Sequence, residues 1–528
     1  MVKKNRKILH SETTNSLIFM ICTIISRLLG IVRVRLITTF FGASGVADVI
    51  NFTFSIPNNL RKLLAEGALS SAFIPILTKT VQYDELNIYD HLAKKLIHRV
   101  LTFQLIILFP ITIIVFLLPN TLIKLLSDFS DTYLISISAG LLKYFILYLL
   151  TVSITAVIQA ALQCKSSFMV TALSPLLFST SVIISTIFLS EKYGAYSMGF
   201  GVLLGGILQL LFVLPAYFRN GYTIKLNFQF KNHYFSSVMK AFVPVVITSM
   251  IFIITQQVSF YFASTLPLGG VTALSNSLVF WQMPYGVFYI SIATVLFPSL
   301  SRSYHESDSI RQLLYLKKGI EYIIVFLLPS TLLLIFLSDE LVFTILQNGR
   351  FTPENALRTA NSLRYFTLGL IFAGIFNYNQ RFFYSIHKFK LTIYTVLIFA
   401  VTDILVTILC ISYNLDIASL GIGSSSAYVI AATVQILFIK RVMPEIKIRN
   451  YIKYIFRIFL ANIPLASGLL IYKYTKSYWF SDGSTIRNFI ILLGMGILSL
   501  LIVVVSYRLC KVDFLYKKKR VNLYKPTR

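Results

Sequence analysis

The chain alternates between long apolar runs and short polar gaps. Fourteen runs approach about 20 residues, the length that crosses a bilayer core as a helix. They centre on residues 16–41, 46–77, 100–118, 134–163, 168–189, 195–217, 238–264, 270–299, 319–337, 359–386, 391–413, 418–439, 455–473 and 488–509. The second, fourth, eighth and tenth are long or interrupted, and no gap is long enough for a soluble domain. The pattern predicts an all-α polytopic membrane protein with about 14 transmembrane helices.

The gaps also predict orientation. With the N-terminus in the cytoplasm, lysines and arginines favour cytoplasmic segments over external loops by roughly five to one. Both termini are therefore expected inside, and Lys517-Lys518-Lys519-Arg520 reads as a cytoplasmic anchor. There is an internal echo. The second run ends Pro75-Ile-Leu-Thr-Lys79 and the eighth ends Pro298-Ser-Leu-Ser-Arg302, six spans later. Parallel repeats of this kind occur in transporters. The expected division is an N-lobe over 1–220, a C-lobe over 221–445, and two appended helices with a basic tail over 446–528.

Composition agrees. Of 528 residues, 56% are hydrophobic and only 13% charged, with mean hydropathy +0.76. A soluble domain averages about 25% charged residues. The net charge of +28 sits in short gaps, so it suits an anionic leaflet better than nucleic acid. Cys22, Cys164, Cys410 and Cys510 have no paired spacing and read as buried thiols. Lys3, Lys4, Arg6 and Lys7 precede a long span rather than the short core of a cleaved signal, so the first span is expected to be retained.

The first two runs carry charges that hydrocarbon resists: Arg27, Arg33, Arg35, Asp48, Arg61, Lys62 and Glu66. Each charge at bilayer depth costs about 2.5–3.5 kcal/mol. Such groups need water, a partner or a ligand, and a polar cavity for an anionic lipid headgroup would supply them. At about 100° per residue, Arg33 falls on the far side of Arg27 from Arg35, so one narrow stripe cannot hold all three. Gly30 offers a bend, and snorkelling or pairing with acids is the structural alternative. Asp48 reads equally as a charge complementing its own helix dipole. Pro57-Asn58-Asn59 is expected to break the second span. Arg61 or Lys62 can pair with Glu66. A guanidinium stays charged and grips phosphate oxygens in a bidentate fork, which makes these arginines candidates for a diphosphate.

SRLLGIVR (26–33), FGASGVAD (41–48), PNNLRKLLAEGALSSAFIPIL (57–77), GVLLGGILQLLFVLP (201–215), VLFPSLSR (295–302) and LQNGRFT (346–352) resemble the MurJ (MviN) family of lipid II flippases. The resemblance implies the fold of the multidrug/oligosaccharidyl-lipid/polysaccharide exporter superfamily. It also implies alternating access that carries lipid II from the inner to the outer leaflet of the bacterial cytoplasmic membrane. Arg27, Arg33 and Arg61 correspond to the family's essential arginines, and Asp48 and Glu66 to its acidic positions. Two departures stand out. Val34 replaces an acid common after the second arginine, and the stretch before Gln282-Met283-Pro284 lacks the family's eighth-span arginine. Arg35 and Arg364 are candidates to replace it. Asp403, an isolated acid in the eleventh span, is a candidate for a monovalent cation or for a hydrogen bond to a nearby hydroxyl.

Other functions fit less well. A multidrug exporter of the same superfamily wants acidic or aromatic pockets, whereas this cluster is net basic; export of another polyprenyl-diphosphate oligosaccharide remains the alternative. The six histidines lie near span ends or in loops, without a buried acid partner or metal motif, so an enzyme is not expected. The expected partners are lipid II and membrane lipids, with no nucleic acid and no cofactor, the chain acting as a monomer. Coupling to the membrane potential or to a monovalent cation is expected to reset an empty cationic cavity.

Overall fold

The computed structural model describes residues 22, 25–63, 68–85, 91–165, 167–306, 308–444, 448–479 and 485–512. Among them every regular element is helical. Helix α1 covers 25–41, followed by α2 (Gly45–Arg61), α3 (Ala68–Glu85), α4 (Leu92–Leu117), α5 (Pro119–Leu126), α6 (Thr132–Cys164), α7 (Phe168–Tyr193), α8 (Tyr196–Arg219) and α9 (His233–Thr265). Then come α10 (Gly270–Pro284), α11 (Ile290–His305), α12 (Ser309–Phe336), α13 (Ser338–Leu346), α14 (Pro353–Leu368) and α15 (Leu370–Ser385). The last four are α16 (Phe389–Ser412), α17 (Ala418–Val442), α18 (Ile448–Trp479) and α19 (Thr485–Leu509). A π-turn, Tyr285–Tyr289, joins α10 to α11.

Each of the fourteen expected spans falls on a helix or a consecutive pair. Among the described residues, 11 helices are long and apolar enough to cross a membrane individually, counting α10, the π-turn and α11 as one. The second span is divided between α2 and α3, and the tenth between α14 and α15. Residues 16–21 of the first span, the N-terminal basic group and the Lys517–Arg520 run lie outside the described residues.

One expected break moves. Pro57 lies inside α2, which continues to Arg61 before widening at residues 62–63. Proline removes one backbone donor without ending the helix, because the following turn still closes: the Lys62 N–H reaches the carbonyls of Asn58 and Asn59. The widened turn has a counterpart. Lys62 and Tyr285 are 223 positions apart, as are Pro75 and Pro298. Short helices also recur, α5 after α4 and α13 after α12.

The chain forms two compact units, Met1–Asn276 with Leu346–Asn355, and Ser277–Ile345 with Ala356–Arg528. In the first, α3, α4, α6, α8 and α9 bury Phe73, Leu96, Val100, Val157, Ala161, Tyr217 and Val238. The segment after α8 straps onto α4, where Arg99 Nε donates to the Gln229 carbonyl at 2.7 Å and Asn227 N–H to Thr102 Oγ1 at 2.8 Å. In the second unit, Leu465, Leu469 and Tyr472 of α18 pack with Leu337.

Lipid tails are as apolar as leucine, so these helices adhere through close backbone approach and hydrogen bonds. A Cβ on Gly201 of α8 would lie 2.9 Å from Val182 Cα, and Ser181 Oγ donates to the Gly201 carbonyl at 2.9 Å. In the second unit the α16–α17 pair does the same: a Cβ on Gly423 would lie 2.1 Å from Thr407 Oγ1. Gln209 donates to the Ser174 carbonyl in one pair and Gln435 to Thr395 Oγ1 in the other.

Gly319 of α12 makes the tightest approach, its virtual Cβ 2.0 Å from Tyr378 Cζ, while Tyr378 Oη donates to the Tyr315 carbonyl at 2.9 Å. Gly319→Ala should therefore destabilise by about 1–3 kcal/mol through overpacking. It is expected to lower the melting temperature in detergent and the yield from membranes. Gly30→Ala is the matched control, because nothing lies within 4 Å of that virtual Cβ; it should leave both unchanged or raise them slightly.

Candidate functional site

Helix α1 delivers Arg33 into a group of rings rather than to an acid. Its Cζ lies 5.8 Å from the Phe54 ring centroid and 5.5 Å from that of Phe178. The two rings stack at 6.3 Å, and Tyr148 stacks on Phe178 at 5.0 Å. These residues come from α2, α6 and α7, so tertiary packing assembles the box. No described residue pairs with Arg33 through a carboxylate or hydrogen bond. A desolvated cation–π contact is worth about 2 kcal/mol or more. That offsets much of the burial cost while leaving the guanidinium charged, with all five of its donors unspent.

Arg61 adds a second positive charge close enough to repel Arg33. Its Nε and Nη2 both donate to Asn58 Oδ1, at 3.3 and 3.0 Å. Beside it, Lys62 Nζ donates to Asn59 Oδ1 at 3.3 Å and to Gln256 Oε1 at 3.2 Å. Gln257 Oε1 accepts from Ser55 Oγ and Asn59 Nδ2. The C-terminal half of α2 thus meets α9 through neutral amides. Arg27 and Arg35 are half-buried on α1. Glu66 lies outside the described residues.

Asp48 goes elsewhere. It sits 13 residues before Arg61 on α2, roughly 20 Å along the helix axis. Its carboxylate is 3% exposed. It accepts from the Gly269 N–H at 2.7 Å, the Thr272 N–H at 2.8 Å and Thr272 Oγ1 at 2.7 Å. The N-terminus of α2 is capped by Ser44 instead. Asp48 therefore caps the start of α10, not its own helix, and satisfies orphan amides there.

The turn that carries it is interlocked with a second motif. Gly42 and Gly349 have φ of +67° and +57°, and each faces the backbone of the other's segment: a Cβ on Gly42 would lie 2.7 Å from Arg350 O, and one on Gly349 would lie 2.5 Å from Thr39 O. The Arg350 N–H donates to the Thr39 carbonyl at 3.1 Å. FGASGVAD and LQNGRFT, whose glycines Gly42 and Gly349 are 307 positions apart, are separate motifs in the sequence and touch here.

Arg364, a candidate to replace the eighth-span arginine, is engaged by acceptors of its own unit. It is held by Asp339 Oδ1 at 2.8 Å, Asn361 Oδ1 at 2.7 Å and the Ile335 carbonyl. Asp403 is 4% exposed on α16 beside Gly423, and its Oδ1 has no hydrogen-bond partner among the described residues. No group of three or more His, Cys, Asp or Glu that could hold a metal occurs among the described residues. Sequence reasoning missed Phe54, Tyr148 and Phe178, which look like ordinary membrane aromatics. Gln256-Gln257 inside an apolar run was the signal that could have pointed to the α2–α9 seam.

The comparisons with known proteins agree with this architecture. A structure of "Lipid II flippase MurJ, inward closed conformation" superposes with a TM-score of 0.75 at 23% identity, covering 95% of this chain and 100% of that one. An inward-facing multidrug transporter of the MATE family superposes at 0.64 with 12% identity, covering 78% and 93%. These likenesses show the fold. In sequence, a "Probable lipid II flippase MurJ" of Borreliella burgdorferi is 30% identical over 510 residues, 96% of this chain and 99% of its own. A protein of the same description from Buchnera aphidicola is 27% identical, covering 90% and 92%. The family model described as "Lipid II flippase MurJ" matches residues 37–494, and the chain belongs to that family.

Proposed function

We propose that this chain moves lipid II across the cytoplasmic membrane, from the inner to the outer leaflet, by alternating access. One observation carries the reading beyond family membership: Arg33 lies at span depth against Phe54 and Phe178, with no acid paired to it among the described residues and Arg61 nearby. A diphosphate cannot enter hydrocarbon unaided, since burying an unpaired charge costs far more than any single contact returns. Two guanidinium groups offer it a matching fork geometry. A cationic drug would be repelled by the same pair, which disfavours the multidrug alternative. The basic gaps support both termini lying in the cytoplasm. Arg27 and Lys62 belong to the proposed headgroup region as neighbours of the pair. Asp48 is assigned to holding α10, and Asp403 to a monovalent cation that would couple transport alongside the membrane potential. The division at 220 and 445 follows the six-span echo, and the chain is taken to work as a monomer.

Arg33→Ala should abolish growth in a flippase-depleted cell while the protein still reaches the membrane. Arg33→Lys should keep only a small part of the activity, because lysine offers a point charge without the fork. Full complementation by the Arg33→Ala, Arg61→Ala double variant would end this reading.

Phe178→Leu removes one wall of the box but no charge. Lipid II translocation, followed by its accessibility at the outer leaflet, should fall less than for Arg33→Ala, by about tenfold if roughly 1.4 kcal/mol of positioning is lost.

Asp48→Asn should lower the melting temperature, since hydrogen bonds to a charged group contribute about 1.5–3 kcal/mol each. Binding of a polyprenyl diphosphate should persist in that variant. Loss of binding at full thermal stability would instead place Asp48 in the headgroup site.

A further inference from the structure

The second unit also holds a guanidinium that no described carboxylate answers. Arg381 of α15 places its Nε 3.3 Å from Tyr289 Oη. Its Cζ lies 5.9 Å from the Tyr289 ring centroid and 5.8 Å from that of Phe297. No described carboxylate pairs with it, and Nη1 and Nη2 have no described acceptor. Of five donors, one is used.

Other arginines of this unit behave differently. Arg358 is chelated by Asp416 at 2.7 and 2.6 Å, and Arg364 is held by Asp339 at 2.8 Å. Those two have carboxylates; Arg381 has rings.

Snorkelling does not account for the placement. Helical side chains lean toward their helix N-terminus, which for a residue near the end of α15 is away from Lys388 and Lys390 in the following basic gap. The partner ring, Tyr289, lies 16 residues before the end of α11 at His305, roughly 24 Å of helical rise. The charge is therefore directed along the span, not out of it.

The surface beneath it is built. Trp281, Tyr285 and Tyr289 recur every fourth residue, their rings stacked at 5.0 and 4.7 Å. Trp281 Nε1 donates to the Phe366 carbonyl at 3.0 Å. The ladder runs through the π-turn that is the counterpart of the widened turn at Lys62. Interrupted helices at matching positions of two repeats point to substrate sites in transporters. In the first unit that turn displays Arg61 and Lys62. In the second it displays tyrosines, and the cation arrives from α15.

We propose that Arg381 is an anion-receiving residue of the second unit, taking the diphosphate of a polyprenyl-diphosphate lipid, with Tyr289 as its positioning residue. The proposal rests on the reading that the chain carries such a lipid. Inorganic diphosphate offers the same oxygens without the chain, so the two sources can be separated.

The test is binding to the full-length protein in detergent, read by native mass spectrometry, with a polyprenyl diphosphate and with inorganic diphosphate as probes. Arg381→Gln should weaken the lipid about tenfold, Arg381→Lys by less, and Tyr289→Phe by a few-fold with no change in charge. Inorganic diphosphate should bind far more weakly than the lipid. Equal affinity for both probes would assign the position to a free anion and overturn the lipid claim. Unchanged lipid affinity in Arg381→Gln, with a loss in Arg33→Gln, would overturn the role of Arg381 and leave the proposed function standing. No loss in either variant would remove the substrate reading itself. If Arg381→Gln fails to accumulate, Arg381→Lys and Tyr289→Phe decide the matter in the same way. A lower melting temperature with unchanged affinity would make Arg381 a packing residue only.

Discussion

A cation held within a membrane against aromatic faces, with no acid paired to it among the described residues, is the interaction on which the rest depends. Insertion of a charge costs about 2.5–3.5 kcal/mol, and a desolvated ring contact returns about 2 or more. The two nearly cancel, so Arg33 can stay in place without surrendering its charge to a partner. An ion pair would hold it more firmly and would also abolish its attraction for phosphate. The chain uses both solutions: Arg358 and Arg364 are paired with Asp416 and Asp339, while Arg33 and Arg381 rest on rings.

Holding such charges in register requires rigid helices around them, and the packing supplies that without large apolar driving forces. Glycines on α8 and α17 let neighbouring backbones approach, and serine, threonine and glutamine side chains cross the seams. The devices recur in both halves at nearly constant spacing. So does the widened turn, which is where each unit presents its distinctive side chains. Repetition of the scaffold with different residues at the turn gives two chemically distinct surfaces from one helical plan.

Asp48 shows how a buried charge can be held by one helix while belonging to another. Two of its three hydrogen bonds satisfy backbone amides at the start of α10 and the third comes from the Thr272 hydroxyl, and its turn is locked to the Asn348-Gly349-Arg350 segment by two left-handed glycines. Only glycine adopts those angles at little cost, and any Cβ there would strike the opposing backbone. Charge, turn and cap together tie α1, α2 and the start of α10 at one level.

The sequence by itself determined the class, the fourteen spans and the family, because apolar run length and basic gaps respond to the bilayer, a solvent that acts on each segment separately. It also singled out Arg33 and Arg61, since a charge inside an apolar run is conspicuous anywhere. It misplaced the break at Pro57 and left Asp48 between two roles. Those outcomes depend on which carbonyl, amide or ring comes within a few ångströms, and the partners lie far along the chain: Thr272 for Asp48, Phe178 for Arg33, Tyr289 for Arg381. An aromatic residue in a membrane helix carries no mark of whether it faces lipid or a cation. Only the packing of one helix against another decides that, because cation–π contacts and helix caps act over contact distances and have no signature in local hydropathy.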